Sequence, residues 1–306
     1  MSSAYALPPI IQGGMGIGVS NWRLARAVSM LGQLGVVSGT AVETVLVRRL
    51  QDGDLGGHMR RAMERFPMPG VAATVLKRYF RSRRRTDGAP YAMLPVYRKG
   101  AARAREQVTM LANFVEVWLA REGHEGPVGI NLLTKVQLPT LAALYGAMLA
   151  GVDFVLMGAG IPKEIPAVLD AYAEHRPASL RFEVEGGDPD TRLTLDPSEY
   201  WGGAPPPTVR RPSFLAIIAS NSLATMLHRK ATGRVDGFVI EGPTAGGHNA
   251  PPRGEPHFND AGEPVYGTRD EVDLGQIGAL GLPFWIAGGA GSPAALVRSR
   301  AAGAAG

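Results

Sequence analysis

Short apolar runs alternate with longer amphipathic stretches along this chain. Seven runs are rich in aliphatic and β-branched residues, and they span residues 9–12, 34–38, 127–132, 152–157, 214–219, 235–240 and 283–287. Each is continuously apolar rather than alternating, which is typical of strands covered on both faces in a parallel sheet. Apolar residues at helical spacing predict helices at 22–31, 44–50, 101–121, 138–150, 165–175 and 223–231. The pattern predicts an α/β fold of the TIM-type (β/α)8 barrel class.

Three longer segments interrupt this alternation, at about 52–100, 186–212 and 250–272. The chain has 306 residues, 45% of them hydrophobic, which is enough to bury one large core, and α/β barrels commonly form one domain of roughly 250 residues. We therefore expect a single domain over residues 1–306 with three insertions. The turn-forming residues 259–262 predict a short hairpin in the third insertion, which would lie over the active face of a barrel.

The chain ends after an alanine-rich stretch, where a complete barrel would turn into its eighth strand. No eighth apolar run follows, so we expect a barrel that lacks this strand because the chain ends early. An open barrel leaves two sheet edges unpaired. Either another chain supplies the strand or the sequence is a fragment of a longer protein, and we favour the fragment.

The composition excludes several kinds of chemistry. The chain has no cysteine, which rules out disulfides, thiolate metal sites, iron–sulfur clusters and cysteine nucleophiles. The histidines show no paired spacing for a metal ion, so we expect no metal. Because no signal peptide or stretch of roughly 18 apolar residues occurs, we expect a soluble, cytoplasmic protein with no membrane partner.

The net charge is +5, and much of the basic density lies at residues 77–85. Such a cluster can contact nucleic acid or an anionic carrier protein. No nucleic-acid-binding module accompanies it, so a solvated insertion surface is the favoured interpretation and no nucleic-acid partner is expected.

The most informative chemistry follows the sixth apolar run, where Gly246, Gly247 and His248 come a few residues after its end. Glycines can adopt positive φ angles and let a planar ring or an anion lie against their N–H groups. His248 can move a proton near neutral pH. The alternative is an ordinary turn followed by a surface histidine.

Other strand ends carry similar residues. Gly13, Gly14 and Met15 follow the first run, Asn131 lies in the third, and Gly288 and Gly289 follow the seventh. Since barrel strands are parallel, their carboxyl ends converge on one face, where a late glycine turn often binds phosphate. We expect these residues and His248 to meet at that face.

Together these motifs resemble the nitronate monooxygenase family, formerly called 2-nitropropane dioxygenases, and the related FMN-dependent enoyl-acyl-carrier-protein reductases. The resemblance covers nearly the whole chain. Five segments carry it in order: PIIQGGMG at 9–16, GINL at 129–132, GAGIP at 158–162, AGGH at 245–248 and AGG at 287–289.

The resemblance implies FMN as cofactor and His248 as the catalytic base. It implies that the isoalloxazine ring lies near a set of backbone and side-chain groups from Gly13, Gly14, Met15, Asn131, Ser220 and Glu241. It also implies that the ribityl phosphate lies against the backbone of Gly246, Gly247, Gly288 and Gly289.

The activity implied is oxidation of alkyl nitronates or nitroalkanes by FMN and O2. The alternative is an NAD(P)H-dependent FMN enoyl-thioester reductase, and a second alternative is a non-catalytic truncated barrel. Thr244 stands where the family more often has an acidic residue, which leaves the substrate open. The sequence leaves the oligomeric state open as well.

Overall fold

A computed structural model describes residues 7–82, 88–98, 100, 103–246 and 250–306 of the chain. Three predicted features fall partly or wholly outside these ranges: the arginines at 83–85, the first two residues of the helix predicted from 101, and the pair Gly247 and His248.

Eight strands are present among the described residues, and six of them form one parallel sheet. They are listed in chain order: β1 (Gly35–Ser38), β2 (Val128–Leu133), β3 (Phe154–Gly158), β4 (Ala178–Arg181), β5 (Arg192–Leu195), β6 (Ser213–Ile218), β7 (Gly237–Glu241) and β8 (Phe284–Ala287). The parallel sheet has the order β1-β2-β3-β6-β7-β8, while β4 and β5 pair as a separate antiparallel hairpin.

Helices connect the strands and cover the outside of the sheet. They are α1 (Trp22–Ser29), α2 (Val42–Gln51), α3 (His58–Met63), α4 (Val71–Tyr79), α5 (Arg103–Arg121), α6 (Thr140–Leu149), α7 (Ile165–Ala173), α8 (Asn221–Lys230), α9 (Leu274–Gly278) and α10 (Pro293–Ala301). None of the described helices is both long and apolar enough to cross a lipid bilayer.

Side chains alternate between the two faces of the sheet. Val128, Ile130 and Leu132 of β2 pack outward in the large cluster shared with the helices. A smaller, separate cluster fills the inside of the curved sheet and contains Leu34, Val36, Phe154, Leu156, Leu215, Val239 and Trp285. A filled interior enclosed by parallel strands with helices outside is the arrangement of an α/β barrel.

The N-terminal segment links the two edges of the sheet. Ile11 forms a parallel bridge with Leu34 next to β1, while the Pro8 carbonyl accepts a 2.8 Å hydrogen bond from the indole N–H of Trp285 in β8. The predicted strand at 9–12 is therefore reduced to a single bridge. Pro8 and Pro9 have no N–H to donate, which limits pairing in this segment.

Residues 305–306 lie beside β8, on the side opposite β7. Ala305 donates a 2.7 Å backbone hydrogen bond to the Phe284 carbonyl, and the Gly306 carbonyl accepts one of 2.9 Å from Ile286. Gly306 also lies against the Pro9 backbone. The prediction of an incomplete α/β barrel is confirmed: the six parallel strands form part of a barrel, and residues 305–306 pair with its β8 edge.

Candidate active site

The candidate site lies at the carboxyl end of the parallel sheet. Outward residues alternate with inward ones, so Asn131 of β2 and Glu241 of β7 share the inner face with Val36, Leu156 and Val239. Both polar residues come near the end of their strands. The fold therefore turns two hydrogen-bonding side chains toward the same end of the barrel interior.

The loop after residue 12 is held against β1 and β2. The Oε1 atom of Gln12 accepts a 3.0 Å hydrogen bond from the Val36 N–H. The hydroxyl oxygen of Ser20 lies 2.9 Å from the Gly13 carbonyl and 2.7 Å from that of Met15, so its one proton can serve either. Ser20 is 4% exposed. These buried contacts fix the course of the loop.

Gly14 touches the neighbouring strands directly. A Cβ atom at this position would overlap the Val36 side chain and lie 2.8 Å from the Cβ of Asn131. Gly13 beside it is exposed, and no atom within the ranges that the structure describes lies within 4 Å of where its Cβ would be. The loop thus packs Gly14 onto Asn131 and leaves the Cα of Gly13 facing open space, while the Gly13 carbonyl is directed to Ser20.

Asn131 is 5% exposed and lies opposite Ser38, which is 7% exposed. The Asn131 carbonyl accepts a 2.9 Å hydrogen bond from Gly39, which follows β1. Burial of a polar side chain is costly unless it finds a partner. The two side chains lie near the carboxyl end of an otherwise apolar interior, where a ligand that hydrogen-bonds to them would offset that cost.

Glu241 closes β7 and lies opposite Ala287 of β8. Partial burial raises the pKa of its carboxyl group, and a hydrogen bond from the backbone N–H of Ala250 offsets part of that rise. A carboxyl group with a raised pKa stays protonated to higher pH than an exposed one, so it can donate as well as accept a hydrogen bond.

Ser220 stabilises the N-terminus of helix α8. It is the N-cap of α8, and its hydroxyl accepts a 3.1 Å hydrogen bond from the Leu223 N–H. Ser220 and Glu241 line one pocket of about 150 Å³. Ligand sites usually measure about 300–1,000 Å³, so this pocket fits a small group rather than a whole flavin.

The glycine turns after β7 and β8 pack against each other. Gly288 has φ +100°, and a Cβ there would lie 2.7 Å from the Ala245 nitrogen and 3.0 Å from the Thr244 hydroxyl. The Gly242 N–H donates a 2.9 Å hydrogen bond to the Ala287 carbonyl. Close backbone contact at this point requires glycine at 288.

Open backbone surrounds this contact. Gly246 is exposed, and no atom of the described residues lies within 4 Å of where its Cβ would be. Gly289 has φ +66°, and among the described residues a Cβ there would meet only the Thr244 hydroxyl, at 3.4 Å. The loop then enters α10, whose N-cap is Ser292. Exposed N–H groups at a glycine turn and a helix N-terminus suit an anion such as a phosphate.

The insertion at 250–272 reaches over the end of β6. Phe258 and Pro264 form an antiparallel bridge, so the predicted short hairpin is present. Arg253 donates a 2.8 Å hydrogen bond from Nη2 to the Ala219 carbonyl, and its backbone N–H donates one of 2.8 Å to Asp270. Arg253 therefore lines the same pocket as Ser220 and Glu241.

Two predicted residues, Gly247 and His248, lie outside the described part of the chain. Their roles as phosphate-binding backbone and catalytic base stay predictions from the sequence. The other predicted residues, from Gly13 to Gly289, all lie on loops or strand ends at the carboxyl end of the sheet.

Sequence reasoning missed Gln12, Ser20 and Arg253. Ser20 hydrogen-bonds to the Gly13 carbonyl, and Gln12 accepts a hydrogen bond from the Val36 N–H. The sequence does not show which backbone group a polar residue at the end of a loop will contact. Arg253 is separated from Ala219 by 34 positions. Only the folded insertion brings its charge to the pocket.

The described residues fit a flavin mononucleotide in two respects. Open backbone at Gly246 and Gly289, next to the N-terminus of α10, offers N–H groups for a phosphate. The open Cα side of Gly13, next to the polar Asn131, offers a surface for a planar ring that carries hydrogen-bonding edges. The two surfaces lie on loops at the same end of the sheet.

No protein-family model matches the chain, and no curated protein matches it. Among solved structures, FabK from Thermotoga maritima aligns with 97% of this chain and 56% of its own length, at 18% identity and a TM-score of 0.44. A point mutant of the same FabK aligns with 97% and 58%, at 16% identity and a TM-score of 0.45. The chain spans a little over half the length of these structures. Identity and TM-score are both too low to transfer a ligand or an activity.

Proposed function

We propose that this chain is an FMN-dependent oxidoreductase that oxidises alkyl nitronates or nitroalkanes with O2, as a nitronate monooxygenase does. The observation that carries the proposal is the contact of Gly288 with the turn at Thr244 and Ala245. It joins the last two glycine turns of the sheet into one open backbone surface beside a helix N-terminus, which suits the phosphate of a flavin nucleotide.

FMN, when bound, supplies the electron-accepting chemistry of the reaction. The chain's part is to hold the cofactor and to handle the proton. Gly246, Gly247, Gly288 and Gly289 would hold the phosphate, and Gly13, Gly14, Met15, Asn131, Ser220 and Glu241 would lie near the ring.

We assign the proton transfer to His248. A neutral imidazole can accept the proton from the carbon next to a nitro group, and histidine is the side chain that ordinarily exchanges protons near neutral pH. Turnover of a neutral nitroalkane needs this base. A nitronate has already lost that proton, so its turnover depends less on His248.

The pocket beside Glu241 supports a small anionic substrate. Arg253 is the one cationic side chain among the described residues that line it, and a nitronate is a small anion. The pocket volume of about 150 Å³ is suited to a short nitroalkane. Two carboxyl groups also line it. Asp270 accepts hydrogen bonds from the backbone of Arg253 and Gly267, and burial raises the pKa of Glu241, which favours its neutral form.

The first experiment is reconstitution of the purified chain with FMN, followed by visible spectroscopy and anaerobic reduction. Bound flavin that reacts with propyl-2-nitronate and not with NADPH supports the proposal. Rapid bleaching by NADPH favours the enoyl-thioester reductase instead. A chain that folds but binds no FMN overturns both assignments and leaves the non-catalytic barrel.

The role of His248 is tested by His248→Ala with His257→Ala as the matched control, since His257 lies in the exposed hairpin of the neighbouring insertion. We expect His248→Ala to lose turnover of neutral 2-nitropropane by a factor of about 10²–10⁴, the usual contribution of a general base. FMN affinity should stay at the parental value. Equal turnover by both variants would contradict the assignment.

A further inference from the structure

A second cavity lies outside the barrel, in the first insertion. It is formed by α4, the segment at 94–98 and the beginning of α5, and its volume is about 520 Å³. That value lies within the range of about 300–1,000 Å³ found for small-molecule sites. It shares no described lining residue with the pocket at the sheet end.

The walls of this groove are mostly aliphatic. Val71, Val75 and Val108 are buried and belong to the main core. Across the groove, Leu94 is partly buried against that core, whereas Val96 is 77% exposed. An exposed valine beside buried ones places an apolar surface in water, where covering it with an apolar chain is favourable.

The rim of the groove is cationic. Arg78 and Arg98 both line it and are exposed, and neither has a carboxylate partner among the described residues. Arg105 also lines it, but its guanidinium is 10% exposed and donates to Glu43 at 2.8 Å. No described lining residue is acidic.

The surrounding surface has the same sign. Lys77 on α4 and Arg81 just after it are exposed cations close to Arg78 in sequence, within the basic cluster noted in the sequence. The guanidinium of Arg78 lies 5.3 Å from the centre of the Tyr79 ring, and such a contact leaves its N–H groups able to bind an anion. Arginines without a described carboxylate partner above an apolar floor match a ligand that carries both an apolar chain and an anionic group.

We propose that this groove binds an amphipathic anion, with an aliphatic chain along Val71, Val75 and Val108 and a carboxylate at Arg78 and Arg98. The site is separate from the candidate active site and does not depend on the proposed redox function. It gives the basic insertion a role in ligand binding.

The test is isothermal titration calorimetry of the whole chain with three probes of equal chain length: dodecanoate, dodecanol and dodecyltrimethylammonium, each below its micelle concentration. We expect saturable binding of dodecanoate near one per chain, at least tenfold weaker binding of dodecanol, and no binding of the cation. Equal binding of all three would show a nonspecific apolar surface and would overturn the proposal.

Variants then locate the site. Arg78→Gln and Arg98→Gln should each weaken dodecanoate binding by about fivefold to tenfold, since each removes a charge-assisted hydrogen bond near the surface. Ala104→Trp should block binding by filling the groove from the exposed first turn of α5. Arg65→Gln is the matched control, because Arg65 is an exposed arginine before α4 and outside the lining.

Two results would overturn the assignment. Parental dodecanoate affinity in Ala104→Trp, with a parental circular dichroism spectrum, would place the ligand elsewhere. A second copy of the chain is the competing occupant. If sedimentation velocity shows a dimer that Val96→Asp abolishes and dodecanoate does not dissociate, the groove is an interface and not a ligand site.

Discussion

Gly288→Ala perturbs the point where the two late glycine turns meet. The residue has φ +100°, and the new methyl group would lie 2.7 Å from the Ala245 nitrogen and 3.1 Å from the carbonyl carbon of Thr244. Both neighbours are backbone atoms, which cannot move away as the end of a flexible side chain can. The turn itself must therefore shift.

The expected cost has two parts. A residue with a Cβ at positive φ costs about 1–2 kcal/mol, and overpacking costs about 1–3 kcal/mol. Together they predict a loss of about 2–5 kcal/mol in the free energy of unfolding. Because the shift displaces the N–H groups proposed to bind phosphate, FMN affinity should fall at least tenfold.

Gly246→Ala is the matched control. The φ of Gly246 is not in the left-handed region, and no atom in the described part of the chain lies within 4 Å of the new methyl group. Its free energy of unfolding should therefore stay within about 0.5 kcal/mol of the parent or rise slightly, because alanine restricts the unfolded chain.

Urea unfolding followed by tryptophan fluorescence measures the stability of both variants, and titration of FMN fluorescence measures affinity. Parental stability in Gly288→Ala would refute the contact between the two turns. A large loss of stability with unchanged FMN affinity would support the contact between the two turns but refute the proposal that these turns bind the phosphate.

Two further predictions concern charge. Burial raises the pKa of Glu241 in the folded state, so ionisation of this carboxyl group lowers the free energy of unfolding. The loss is absent at a pH below the pKa of the unfolded chain, and it grows as the pH rises through the pKa of the folded state. Glu241→Gln should therefore have a Tm at least equal to the parent at pH 8, with no advantage at pH 4, and a lower Tm at pH 8 would contradict this. Arg105→Gln leaves Glu43, 4% exposed, without its cation and should cost about 3–5 kcal/mol in urea unfolding. Arg103→Gln, which breaks a pair with Glu199 that is more than half exposed on both sides, should cost under about 1 kcal/mol, and similar losses in the two would refute the argument from burial.

Most barrel strands were predictable because their residues are apolar on both faces. The run at 127–132 became β2 at Val128–Leu133, and the run at 283–287 became β8 at Phe284–Ala287. The segment at 9–12 was the exception, since the prolines beside it prevent regular pairing. Helices α3 and α4 begin after Gly57 and Gly70 in left-handed conformation, without a side-chain cap. Without a capping side chain, the sequence does not mark where these two helices begin.

The sequence by itself determined which residues lie at strand ends, because the apolar runs stop there and parallel strands share one direction. Tertiary structure decided which of these residues touch. Gly14 meets Asn131 across 117 positions, and Arg253 reaches Ala219 from an insertion. The groove between Arg78 and Arg98 exists only because α4 packs against α5. Such contacts depend on how elements distant in sequence pack together, and a local pattern of residues does not show which distant elements will meet.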